Sequence, residues 1–200
     1  MTSLRHNPES NPESKSESGP ETPRDGYLDA ARACILDVGW RRTTLTEVAR
    51  RAGVSRMTIY RTWADMPQLL GDLMTREWTA IVTGTEDTDL VDRMVATVRA
   101  LRDNELFVRI VELDPELILP YLLSRRGRSQ DLILAIAEEA IVARQATGDV
   151  RAGNPAAIAR ALVLAGHGFV LSAHTMVDDR VGEADLDAEL RLALTRILQP

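Results

Sequence analysis

Six arginines crowd into residues 41–62: Arg41, Arg42, Arg50, Arg51, Arg56 and Arg61, against one carboxylate, Glu47. That is a net +5 over 22 residues, in a chain whose total is −6. Interleaved with them stand Thr43, Thr44, Ser55, Thr58 and Tyr60, all hydroxyl-bearing, and the apolar Met57. Guanidinium groups set among short hydroxyl side chains suit phosphate oxygens, and a guanidinium can also pair bidentately with guanine. One concentrated basic patch on an acidic protein points to a polyanion met at one place, the acidic remainder limiting non-specific adhesion. Arginine outnumbers lysine 23 to 1, which reflects genome composition, so it is the clustering that carries weight.

Other chemistries find little support. Cys34 is the single cysteine, so no intramolecular disulfide forms and a reducing compartment suits the chain. No histidine or carboxylate stands beside it at a spacing that would activate a nucleophile. His167 and His174 are seven residues apart, about 10 Å along a helix, where paired helical metal ligands favour four. There is no glycine-rich phosphate loop. The expectation is no enzyme, no cofactor and no metal. Without an apolar leader or a run of about 18 apolar residues, no membrane association is expected and the cytoplasm is the expected location.

The elements that must position the patch are helices. Leu28, Ala31, Ile35 and Val38 recur at helical spacing and Gly39 ends that run. "TLTE", Thr44 to Glu47, reads as a capping box for a second helix whose Val48, Ala49 and Ala52 face inward. Gly53 can close it and Ser55 can cap a third, with Ile59 and Trp63 inward. Two short helices joined by a glycine-containing tight turn form a helix-turn-helix. Further helical runs begin near Asp65 and cover 89–103, short pieces of 105–123, 129–146, 155–177 and 185–198. The run from Leu132 to Ala143, apolar nearly all round, is expected to be buried. The fold class is all-α. The expected organisation is a disordered tail over 1–24 with its tandem "NPES", a helix-turn-helix domain over 25–72, and a helical bundle over 73–200.

Residues 27–74 carry a resemblance. "TTLTEVARRAGVSRMTIYRTW", preceded by "AARACILDVGW" and followed by "ADMPQLLGDLM", resembles the DNA-binding domain of TetR-type transcriptional regulators. Met66 stands where that family usually has a phosphate-contacting lysine, and Met57 where a small residue is frequent. The resemblance implies a homodimer that binds a palindromic double-stranded operator, most often as a repressor, and answers to a small molecule. A regulator of the same fold controlled by a protein partner is the alternative. The recognition helix then reads bases chiefly through Arg56, with Met57 or Thr58 against a thymine methyl. Thr43, Thr44, Ser55, Tyr60 and Arg61 grip phosphates, while Arg41, Arg42, Arg50 and Arg51 add general electrostatic attraction to the DNA.

Beyond residue 78 the resemblance is one of architecture. Trp78, Met94, Phe107, Tyr121, His167 and His174 are the candidates for lining an effector pocket. The mostly aliphatic surroundings suggest an apolar or amphipathic effector. The small-residue stripe Ala157, Ala161, Ala165, Gly168 and Ser172, with Leu190, Leu194 and Ile197 of the last helix, is the candidate dimer interface.

Overall fold

Thr22 starts the first helix. Its hydroxyl accepts from the Asp25 amide, and the Asp25 carboxylate accepts from the Thr22 amide at 2.9 Å, closing a capping box with Pro23 in the first turn. The helix α1 therefore spans Pro23–Val38, so residues 22–24, expected in the disordered tail, belong to an ordered helix start. The rest of that tail lies outside the residues described by this computed structural model, 22–84 and 89–200.

After α1 come α2 (Leu45–Arg51), α3 (Arg56–Thr62) and α4 (Met66–Thr83). They are followed by α5 (Leu90–Arg102), α6 (Glu105–Leu113), α7 (Leu119–Leu123), α8 (Arg128–Thr147), α9 (Pro155–Ser172) and α10 (Glu183–Leu198). Three short 3-10 turns, Trp40–Arg42, Pro115–Leu117 and Ala173–Thr175, complete an all-α chain with no strand among the described residues.

Two apolar clusters organise it. The first joins Leu28, Ala31 and Ile35 of α1 to Val48 of α2, Ile59 and Trp63 around α3, and Leu69 and Leu73 of α4. It also takes in Leu106 and Ile110 of α6, so the N-terminal helices share a core with a later element. The second joins α5, α8, α9 and α10 through Val95, Ile141, Leu162, Leu190 and Leu194. The helix α4 crosses residues 72–73 without a break and its 18 residues span about 27 Å. It packs against α1 of the first cluster and against α5 and α8 of the second.

Two expectations about the bundle are corrected. Of the 132–143 run in α8 only Ile141 is buried, while Val142 is half exposed, so this helix is a wall rather than a core element. Leu190 and Leu194 are 0% and 1% exposed inside their own chain, packed in the second cluster, and are not available at a surface. Residues Pro155–Thr175 are long and apolar enough to cross a membrane by length and composition alone, although Arg160 and His167 interrupt the apolar run.

Candidate nucleic-acid interface and ligand cavity

The turn between α2 and α3 is set by backbone geometry. Gly53 has φ +68°, and a Cβ there would meet no atom within 4 Å, so conformation rather than space selects glycine. The Val54 amide donates to the Ala49 carbonyl at 3.0 Å. Ser55 then caps α3: its Oγ accepts from the Thr58 amide at 3.2 Å and lies 2.9 Å from the Thr58 hydroxyl. Ile59 and Trp63 anchor α3 in the core, both essentially inaccessible. The opposite side presents Arg56, Met57, Tyr60 and Arg61, all exposed, with Met57 at 70% and Tyr60 at 49%. Tyr60 is therefore not a core residue.

The six arginines divide into two groups. Arg41 pairs with Asp114 and Glu116, Arg50 with Glu47, and Arg51 with Asp37. Arg42, Arg56 and Arg61 are exposed and have no carboxylate partner among the described residues. The pairing of Glu47 with Arg50 also explains why the "TLTE" box is only half formed: the Thr44 hydroxyl accepts from the Glu47 amide, while the Glu47 carboxylate turns to Arg50.

Thr43 departs from its expected place. It is 4% exposed, and its hydroxyl donates to the Gly39 carbonyl at 2.8 Å. The chain turns sharply at Gly39, φ +81°, and Thr43 satisfies the carbonyl left at that turn. Its hydroxyl is thus committed inside the protein, where it positions the start of α2.

Between the two clusters lies a cavity of about 600 Å³, walled by α4, α5, α6, α7, α8 and α9. Leu70, Met74 and Trp78 line it from α4, on the face adjoining Leu69 and Leu73, and Leu70 and Met74 also pack against the first cluster. Trp78 meets Phe107 edge to face, with centroids 5.9 Å apart, and its indole nitrogen is buried with no hydrogen-bond partner. Met94, Tyr121 and His167 also line the space, so five of the six expected residues converge on it. His174 does not: it is exposed in the 3-10 turn after α9. Burial pushes the His167 imidazole below its ordinary pKa, which keeps it neutral at pH 7.

Comparison with known proteins places these two features in context. Residues 28–73 match the bacterial regulatory proteins of the tetR family. An HTH-type transcriptional regulator of Mycobacterium bovis is 33% identical over 176 residues, spanning 86% of this chain and 92% of that one. The chain belongs to the TetR family. The AqdR regulator of Rhodococcus erythropolis is 44% identical over 54 residues, 26% of each chain. Among solved structures, Salmonella enterica GusR superposes with a TM-score of 0.62 at 21% identity, over 88% of this chain and 95% of that one. The SmeT–triclosan complex does so with 0.56 at 25% identity, over 86% and 89%.

This TetR-family chain is a DNA-binding transcriptional regulator. Its cavity wall has a charged part that lies outside the residues expected from the sequence. Arg93, Arg125, Arg126 and Arg128 all line the space, with Glu116 as the one carboxylate among the described residues. Arg93 was detectable, since it precedes Met94 on the stripe Leu90, Met94, Val98, Leu101 and shares its face at i, i+4 with Thr97. The arginines around 125–128 gave no such signal, because only the tertiary fold brings that loop against α4.

Proposed function

We propose that this regulator acts in the cytoplasm as a homodimeric, ligand-responsive repressor whose recognition helix α3 enters the major groove of an inverted-repeat operator. The observation that carries the DNA-reading part is that exposed Arg42, Arg56 and Arg61, beside exposed Met57 and Tyr60, have no carboxylate partner among the described residues, while the other arginines of the patch are paired. Arg56, at the first turn of α3, is placed to read a guanine edge. Arg42, Arg61, Thr44, Ser55 and Tyr60 hold phosphates and fix register. The functional division falls near residue 72, with the ligand-binding and dimerisation part over 73–200.

Dimerisation is assigned to the open face of α9. Ala157, Ala161, Leu164, Gly168 and Ser172 are exposed there, Leu164 at 70%. That apolar face needs a partner, and a second copy paired about a two-fold axis supplies one. From α10 the exposed Leu192 and Ala193 join it in place of Leu190 and Leu194. The SmeT–triclosan complex supports reading the cavity as an effector site, as does the apolar lining.

The test is a set of binding isotherms on operator DNA found by selection from random duplexes. Arg56→Ala is expected to cost about 1–3 kcal/mol at the selected site and to relax preference at one base pair. Equal weakening on selected and scrambled DNA would remove Arg56 from base readout.

A further inference from the structure

We propose that the cavity takes an anionic amphiphile, an aliphatic tail bearing a carboxylate or phosphate head group, with Arg93 as the head-group partner. This rests on the reading of the cavity as an effector site and narrows it to one class of molecule. The tail compartment follows from the wall contributed by α4, α5 and α8, in which Met74, Trp78, Met94 and Ile133 are typical. A volume of about 600 Å³ is within the range of sites that enclose a small ligand.

The head-group assignment follows from which charges in the wall are already answered. Glu116 is held by Arg41, Arg126 by Asp131 at 3.3 Å, and Arg128 by Asp72. Arg93 and Arg125 have no carboxylate partner among the described residues. Arg125 has an aromatic one, lying over the Tyr121 ring at 4.9 Å with Nη2 3.4 Å from its hydroxyl. Arg93 has none. It is partly buried on the cavity-facing side of α5, one helical turn from Thr97. A guanidinium stays protonated at any relevant pH, so a half-buried one at an apolar cavity is a charge in want of a counter-ion. An anionic head supplies it through charge-assisted, two-pronged hydrogen bonds. A cationic amphiphile meets like charge at the same place, and a neutral one leaves Arg93 as it is.

The experiment titrates the full chain with dodecanoate, dodecyl phosphate, dodecanol and dodecylammonium below their micellar concentrations, followed by calorimetry and tryptophan fluorescence. At least one of the two anions is expected to bind one-to-one about tenfold or more tighter than dodecylammonium. Whichever anion binds tighter identifies the head group. Arg93→Gln should abolish that preference while leaving dodecanol affinity unchanged, and Arg93→Lys should retain most of it. Unchanged thermal melting of both variants shows that the fold is intact. Equal affinity for anion and cation, or a preference indifferent to Arg93→Gln, overturns the head-group assignment and leaves the effector cavity standing. Failure of all four probes to bind overturns the proposal and the cavity reading together, without touching the assignment of α3 to DNA.

Discussion

At the scale of single residues, composition alone overstates the DNA patch. Six arginines are legible in the sequence, but carboxylates brought close by the fold pair with Arg41, Arg50 and Arg51. Three of their partners, Asp37, Asp114 and Glu116, are distant in sequence from the arginines they meet. No local pattern reveals such pairs. Arg50→Ala is therefore expected to lower the slope of log affinity against log salt by less than one phosphate contact, and Arg61→Ala by about one. Isotherms at several salt concentrations on one duplex distinguish the two. Thr43 makes the same point for a hydroxyl: beside a basic patch it reads as a phosphate ligand, yet it is spent on Gly39. Thr43→Val preserves shape and leaves that carbonyl unsatisfied, so it is expected to cost about 1–3 kcal/mol of stability with an unchanged salt slope. Chemical denaturation measures the first and the isotherms the second.

At the scale of elements, helix type was legible because 3.6-residue periodicity and caps are local properties. The core positions of α1, α3 and α4 follow from their stripes, as Ile35, Ile59, Trp63, Leu69 and Leu73 illustrate. What periodicity does not give is which apolar stripe meets its own chain and which is left open. In α10 the stripe through Leu190 and Leu194 is internal, and in α9 the small-residue stripe is exposed except at the half-buried Ala165. Replacing Leu164 or Gly168 by glutamate is expected to yield folded monomers, whereas Leu190→Glu should fail to fold, since it buries an unpaired charge. Light scattering with far-UV circular dichroism separates the two outcomes, and an intact dimer for both α9 variants removes that face from the interface. His167 on the other side of α9 carries a pH signature. Its folded pKa lies below the ordinary 6.5 because burial disfavours the imidazolium. The folded state therefore binds fewer protons than the unfolded one, and this contribution to stability is present above pH 6.5 and lost as pH falls below it. Melting temperature should fall more steeply between pH 7 and pH 5.5 for the native chain than for His167→Gln.

At the scale of the whole molecule, the two ends of the proposed switch are joined by specific polar contacts as well as by α4. Asp72 of α4 accepts from the Trp63 indole at 2.6 Å, just beyond the recognition helix, and is also bonded to Arg24 and Arg128. Burial alone would raise the Asp72 pKa, but the hydrogen bonds from Trp63, Arg24 and Arg128 outweigh it and the carboxyl is held below its ordinary range. Arg128 is at the same time part of the cavity wall. A second connection runs from the 3-10 turn at Pro115–Leu117, where Asp114 accepts from the Trp40 amide at 3.0 Å and Glu116 pairs with Arg41. Both lead from the cavity to the elements that set the orientation of α2 and α3. A ligand can shift DNA affinity only by its differential affinity for the two arrangements, on a usual scale of about 1–3 kcal/mol. If these contacts transmit that difference, Arg128→Gln should leave ligand-free operator binding within about twofold of the native chain while reducing the ligand-induced loss of affinity severalfold. Glu116→Gln should behave alike, and the double variant should lose more than either alone. Operator isotherms with and without saturating dodecanoate or dodecyl phosphate measure the coupling directly. Full coupling in the double variant would leave α4 as the sole carrier of the signal.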